Sequence, residues 1–581
     1  MEDDADRISQ LPEAIMEKIL FLLPAMDAIR MSFSSKIWQS LWNSLPVSNF
    51  DFLNDPAFGH YRYSSYVPPY YEHSTVKKLI AKIDESLKIL EEDEEHHQKR
   101  IIESFRGRGT LFRNEYEASQ YLNPWIKLVT NNPIKVLELH FKAMHRIKLC
   151  RWPFPYSLGV DGTSLVVLRL SHCLLEPYTL ESQIIASKDK RFPFLKEISL
   201  LRVEFSGSLV DELLSRCPSL ETLKLHHCLN LKSLRIWGAM FPKLNTVSLV
   251  LGETLDYKIE LPNLHTLCLE FVPPRYDELG EVCCSNVKKL SVCAPPNEVI
   301  STNQFLEELL SKFPLLEDLT LSATLDSAET KISSHQLKKL TIIANAGIEK
   351  HYGYIWELNL DTPNLLCFLC KNCGARNISL NSTKLEVVNL EIKIGSYVRI
   401  GPGPCLYHIG TLWFLGLQQC LRNFTPHDAL NVTIKPLSSV AFSLEELREE
   451  NFLPLPEVQH LCLEDTASFS YRPAALDYTN FIDGLLWSFH PVTLSAHVIL
   501  GNSPNNNLIK FIYEKLICRD ENPLCCRENH VKCWRHYLKS IKIQSFTKEG
   551  QNSYGRELSS LLANLEEVEE VTFELQWLSN N

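Results

Sequence analysis

The feature that most constrains this chain is a leucine pattern that recurs along its middle. The unit is LxxLxL. It shows in VLELHF around Leu137 and Leu139, in SLVVLRLSHC at Leu165, Leu168 and Leu170, and in FLKEISL at Leu195, Ile198 and Leu200. SLETLKLHHC (Leu220, Leu223, Leu225), KLNTVSL (Leu244, Val247, Leu249) and NLHTLCL (Leu264, Leu267, Leu269) continue it. NVKKLSV (Val287, Leu290, Val292), LLEDLTL (Leu316, Leu319, Leu321), QLKKLTI (Leu337, Leu340, Ile342) and KLEVVNL (Leu385, Val388, Leu390) follow. Two apolar residues at a spacing of two put both on one face of a short strand. A single such coil cannot bury that face alone, so copies must stack and line their strands into one sheet.

The copies begin about 20–30 residues apart, the period of leucine-rich repeats. Cys173 and Cys228 each stand three positions past the last leucine of their copy. That is where the repeat turns on a small buried side chain. SLVDELLSRCP and NQFLEELLSKFP read as helices on the return limb of a coil, each stopped by proline. The expected fold class is α/β: a small N-terminal three-helix segment, a curved leucine-rich-repeat solenoid, and an α+β C-terminal cap.

Four parts are expected along the 581 residues, a length that exceeds what one core serves. Residues 1–50 read as helical, with Pro12 in a first turn and breaks at Pro24 and Pro46. Residues 51–120 read as a connector. Within it VKKLIAKIDESLKILEEDEEHHQKRIIESF forms a helix with Leu79, Ile83, Leu87 and Leu90 on one face. The repeats occupy 121–400. In 401–581 the pattern fades to one late copy at Val458, Leu461 and Leu463, and the tail reads as strand, helix (Leu558, Leu561, Leu562, Leu565), strand.

Composition narrows the function. A net charge of −11 argues against a general nucleic-acid binder, which needs clustered Lys and Arg. No apolar run reaches the ~18 residues of a membrane span, and MEDDADR lacks the basic start of a secretory signal. The 18 cysteines then read as reduced and largely buried thiols, the sequons at Asn377, Asn381, Asn423 and Asn431 as unused, and the cytosol or nucleus as the location. No GxxxxGK[ST], GxSxG or HExxH is present, so no enzyme is expected. Cys518, Cys525, Cys526, His530, Cys533 and His536 crowd one stretch, and thiolate with imidazole suits Zn²⁺. The stretch has no CxxC pair, however; a polar loop is its simpler reading, and no metal or cofactor is expected.

Ser9–Trp42 is apolar on two faces. Ile15, Ile19, Leu22 and Leu23 make one; Met16 and Leu20 make another. Some forty residues rarely build a core that stands alone, so one face should pack internally and the other should meet a partner. DRISQLPEAI, KILFLLP, Asp27, Ala28 and Arg30, and SSKIWQSLW resemble, in order, the successive parts of an F-box. Ile37 stands where that family has Arg, and Ser34 where it has Leu. Farther on, NPWIKLV, LLSRCPSLETLKLHHCLNLKSLRI, DTPNLLCF and CWRHYLKSIKIQSF resemble the plant F-box/LRR proteins with a C-terminal FBD-type region. The resemblance implies that the F-box binds the Skp-type adaptor of a Skp–cullin–F-box ubiquitin ligase and through it a cullin. The repeats would hold an unknown target protein. Leu11, Pro12, Ile15, Ile19, Leu20 and Leu23 would form the adaptor surface, supported by Trp38, Leu41 and Trp42. For any one of these residues, packing among the three helices is the competing role. A scaffold whose F-box no longer recruits a cullin, and a small-molecule sensor on the concave face, remain open alternatives.

Overall fold

The computed structural model describes residues 11–23, 34–44, 49–51, 103–109, 115–130, 133–141, 152–154, 164–175, 192–205, 209–251, 256–271, 281–294, 299–300, 302–325, 330–344, 357–372, 377–394, 411–424, 429–436, 455–465, 478–498, 507–517, 533–548, 551–554 and 568–578, with single positions between. The architecture is mixed α/β, and it divides into two compact units, 1–287 and 288–581.

In the first unit the leucine copies form a parallel ladder. Strands Asn49–Asp51, Ser104–Gly109, Val136–Phe141, Val167–Ser171, Glu197–Leu201, Thr222–His226, Thr246–Leu251 and Thr266–Phe271 pair in that order. The register aligns the inward residues of neighbouring coils: Leu137 with Leu168, Ile198, Leu223, Val247 and Leu267. All of them are buried, each contributing about 1.5–3 kcal/mol over an exposed side chain.

The turns repeat as faithfully as the strands. His172, Arg202 and His227 follow their strands directly and take φ of 55°, 54° and 51°. A non-glycine residue in the left-handed region is uncommon; three at one coil position mark the bend that redirects the chain. The next residue drops into the interior. Cys173 and Val203 are fully buried, and the Cys228 thiol donates to the Leu200 carbonyl at 3.6 Å, as the spacing past Leu170 and Leu225 predicts. On the return limb short parallel strands pair into smaller ladders, such as Ser233–Trp237 with Asp256–Glu260 and Glu281–Val282. Asparagine amides tie successive turns: Asn263 donates to the Pro242 carbonyl at 3.1 Å and Asn286 to that of Pro262 at 2.7 Å.

The second unit continues the same grammar by itself. Strands Lys289–Cys293, Asp318–Leu325, Lys339–Ala344, Cys367–Lys371, Val387–Ile394, Ala429–Pro436, Glu457–Asp465 and His490–Val498 pair in parallel. The expected helices appear as Leu209–Ser215 in the first unit and Thr302–Lys312 in the second. Past residue 400 the coils carry helices Thr411–Arg422, Tyr478–Ser488 and Asn507–Ile517. The parallel run closes on Val568–Trp577, which is antiparallel both to His490–Val498 and to Leu538–Lys548. The latter turns back on Gln551–Tyr554. The tail helix expected around Leu558–Leu565 lies outside the described residues.

One element differs from expectation. The helix read through Phe105 gives way to strand Ser104–Gly109. Phe105 and Gly107 point inward and are buried, while Ser104, Arg106 and Arg108 alternate outward, and ladder partners on both sides complete its hydrogen bonds. Upstream, Ile83 and Leu87 of the amphipathic helix are buried, and the Trp125 indole donates to Asp84 at 3.2 Å. Leu79 and Leu90 lie outside the described residues. No described helix is long and apolar enough to cross a membrane.

Candidate functional site

The N-terminal segment separates its apolar residues onto two faces. Helix Glu13–Leu22 begins after Pro12, whose carbonyl accepts from the Ile15 and Met16 amides at 2.8 and 3.1 Å. Helix Lys36–Ser44 begins after Ser35, whose hydroxyl accepts from the Trp38 amide at 3.4 Å. Met16 and Leu20, four apart on the first helix, are buried, as are Trp38 and Leu41, three apart on the second; the two helices pack against each other. On the other side Ile15 is 47 % exposed and Pro12 is exposed, while Leu11, Ile19 and Leu23 are half-buried. Of the predicted residues, then, Leu20, Trp38 and Leu41 form the internal support, and Leu11, Pro12, Ile15, Ile19 and Leu23 reach the surface. Trp42 lies in the second helix, its side chain outside the described residues. Ile37 is also about half exposed, and Ser34 is exposed.

A second surface is the outward side of the parallel sheet in the first unit. Glu138 points outward from its strand yet is buried, because its neighbours close over it. Arg108 on one adjacent strand donates from Nε at 2.7 Å and also from Nη2, and Arg169 on the other donates from Nη1 at 3.1 Å. His140 Nε2 stands at 3.4 Å. Burial alone would raise the Glu138 pKa. The hydrogen bonds and charges of His140 and Arg108 outweigh it and hold the carboxyl down at about 2. Arg169 continues the chain as a two-pronged pair with Glu197, 3.0 Å at each prong, the geometry that makes Arg–carboxylate pairing directional. Lys224 approaches Glu197 at 3.7 Å. Beyond it His226 Nε2 meets the Ser248 hydroxyl at 2.8 Å, with the imidazole pKa lowered by burial. Nothing in VLELHF distinguishes Glu138 from any outward strand residue; only the register exposes its role.

In the second unit the same outward rows are polar and internally paired. Asn431 donates to Asn389 at 2.8 Å, His460 meets Thr493 at 2.7 Å, and Lys435 bridges Glu391 and Glu464 at 2.8 and 3.0 Å. Near the C-terminus Asp483 gathers Lys515, the Trp534 indole and Arg535 at 2.8, 2.8 and 3.4 Å. His490 stacks on Trp577 with centroids 3.9 Å apart.

The cysteines behave mainly as interior thiols. Burial pushes Cys217, Cys228, Cys420 and Cys462 up to about 12 and Cys284 to about 11, so none of these supplies a thiolate at neutral pH. Cys370 departs from the expectation of reduced thiols: it is disulfide-bonded. In the C-terminal Cys/His stretch, Cys533 is buried at the start of the short helix Trp534–Tyr537, and its carbonyl accepts from the His536 amide at 3.0 Å. Cys518, Cys525, Cys526 and His530 lie outside the described residues. Among the described residues no three His, Cys, Asp or Glu side chains gather as a metal site would need.

Comparison with known proteins finds two families along the chain. Residues 8–49 match the F-box domain family, and residues 102–393, just over half of the chain, match the family described as the At1g61320/AtMIF1 LRR domain. Similar proteins include three from Arabidopsis thaliana. The FBD-associated F-box protein At4g10400 is 25 % identical over 67 % of this chain and 97 % of its own length. The F-box/FBD/LRR-repeat protein At1g78750 is 24 % identical over 61 % of this chain and 74 % of its own. The F-box/FBD/LRR-repeat protein At3g52680 is 30 % identical over 38 % and 40 %. With an F-box whose helices bury one face and leave another open, followed in sequence by leucine coils, the chain belongs to the At1g61320/AtMIF1-type leucine-rich-repeat family and carries an F-box at its N-terminal end.

Proposed function

We propose that this protein is the substrate-recognition subunit of a Skp–cullin–F-box ubiquitin ligase, working in the cytosol or nucleus. The F-box docks a Skp-type adaptor and through it a cullin; the repeat surface holds a target protein. The single observation that supports this most is the split of the N-terminal segment. Met16, Leu20, Trp38 and Leu41 hold the helices together, and Pro12 and Ile15 stay exposed with Leu11, Ile19 and Leu23 at their side. Exposed aliphatic residues clustered on one face mark an interaction site. The chain itself makes and breaks no bond. It raises the effective concentration of the target beside the ubiquitin-carrying enzyme, turning a bimolecular encounter into a nearly intramolecular one.

The test is co-purification of the full chain with a Skp-type adaptor. Leu11→Ala combined with Pro12→Ala should abolish adaptor capture while the repeats stay folded. Undiminished capture would overturn the interface. Absence of capture by the wild type would leave a non-catalytic repeat scaffold as the better description.

A further inference from the structure

The register of the first unit's sheet places cations on every second strand of one row. Arg106 aligns with Glu138, Glu138 with Arg169, Arg169 with Ser199, and Ser199 with Lys224. The carboxylates in and beside this row are sunk and the cations stand above them. The Glu138 side chain is 2 % exposed and that of Glu197 19 %, against 35 % for Arg169 and 40 % for Lys224 and Arg108; Arg106 is exposed outright. The row and its flanks therefore present positive charge, four cations against two sunken carboxylates, in a chain whose net charge is −11. Other charged groups bound the strip rather than cancel it. Beyond Lys224 the row turns neutral at Ser248 and Cys268, while Glu270 stands two residues farther along that strand in register with Val250. Glu138 and Glu197 fix the guanidinium planes, so little side-chain entropy remains to be lost when an anion binds.

We propose that this row docks an acidic, extended segment of the target protein, with a carboxylate at every third residue. The spacing follows from geometry. Strands lie about 4.8 Å apart, so cations on alternate strands are about 10 Å apart. A chain crossing them in the extended polyproline II conformation repeats every three residues and advances about 3.1 Å per residue, so side chains three apart share one face about 9.3 Å apart and meet Arg106, Arg169 and Lys224 in turn. Guanidinium and carboxylate recognise each other through charge-assisted hydrogen bonds, and Arg clusters read acidic motifs in this way. This inference rests on the reading of the repeats as a target-binding surface and names the chemistry of the target.

The experiment titrates the purified full chain against a fluorescein-labelled peptide of the repeating triplet Glu-Ser-Thr, followed by anisotropy. Controls replace Glu by Gln, or cluster the same residues at one end. The triplet peptide should bind about tenfold tighter than either control, and a rise in salt should weaken it steeply, since exposed charges are screened beyond about 8 Å at physiological ionic strength. Arg106→Glu together with Lys224→Glu should remove binding. Arg106 is exposed and Lys224 partly so, and neither belongs to the apolar core, so the coil keeps its core; Arg169 is left in place because its loss would unseat Glu138. Equal binding of the Gln peptide, no binding of the Glu peptide up to about 1 mM, or tighter binding of a single-stranded oligonucleotide would each overturn the proposal. Equal binding of the clustered peptide would overturn the three-residue spacing. The same preparations are assayed for adaptor capture. Peptide loss with capture intact assigns the effect to this row. Failure of capture in the wild type counts against the ubiquitin-ligase reading and leaves the peptide result standing.

Discussion

Replacing Glu138 by Gln tests whether a buried carboxylate organises the outward face of the sheet. The side chain accepts from Arg108 and Arg169 and lies against His140. Its pKa falls from an ordinary 4.5 to about 2. At about 1.4 kcal/mol per pH unit, that difference corresponds to about 3 kcal/mol at neutral pH. Arg108 and Arg169 are more than a third exposed, so solvent screening reduces this to about 2 kcal/mol. The sign is that of a depressed carboxylate: the stabilisation is present above the unfolded-state pKa and is lost as pH falls through about 2. At pH 3 less than half should remain. The assay is the urea midpoint of wild type and Glu138→Gln at pH 7 and pH 3, with hydrogen exchange of strand Val136–Phe141 to confirm that the loss is local. Equal midpoints at pH 7, or a gap that does not shrink at pH 3, would refute the reasoning.

Two further outcomes follow from packing elsewhere. Gly484 lies in helix Tyr478–Ser488 against the buried Phe414 ring, where an added Cβ would sit 2.5–2.9 Å from three ring carbons. Gly484→Ala should therefore destabilise the second unit by about 1–3 kcal/mol despite alanine's better helix propensity, and a thermal midpoint at or above wild type would contradict it. His490 is buried on Trp577, and burial lowers its pKa to about 4. Its contribution is present above the unfolded-state value near 6.5 and is lost as pH falls to about 4. His490→Phe keeps a ring in the stack and should flatten the acid-side fall of the urea midpoint across that window; an unchanged slope would show that other groups carry it.

The inward rows were legible because a strict two-residue apolar alternation has one structural meaning once it recurs at coil spacing. Leu223 and Leu225, or Leu319 and Leu321, need no tertiary information to be placed. Strand Ser104–Gly109 carries a weak sequence signal: Ser104, Arg106 and Arg108 face outward and Phe105 and Gly107 inward, beside the stronger apolar helical pattern upstream. The coils past residue 400 carry the same alternation, in Leu430–Val432–Ile434 and Leu494–Ala496, but they lack the leading leucine that makes the repeat recognisable. In the N-terminal segment the two apolar faces could be read from periodicity, whereas which face the protein covers depends on how the helices cross. The cation row was illegible for a different reason. Arg106, Arg169 and Lys224 are scattered over more than a hundred residues of sequence, and parallel register alone brings them into line.

The central claim is that the open face of the N-terminal helices is half of an adaptor interface. Calorimetric titration of the full chain with a recombinant Skp-type adaptor measures it most directly. Ile15 is half exposed and supports no core, so Ile15→Asp should leave the thermal midpoint unchanged and weaken adaptor binding at least about tenfold, as loss of a buried apolar anchor does. Wild-type affinity in Ile15→Asp, or no measurable binding by the wild type, would contradict the account.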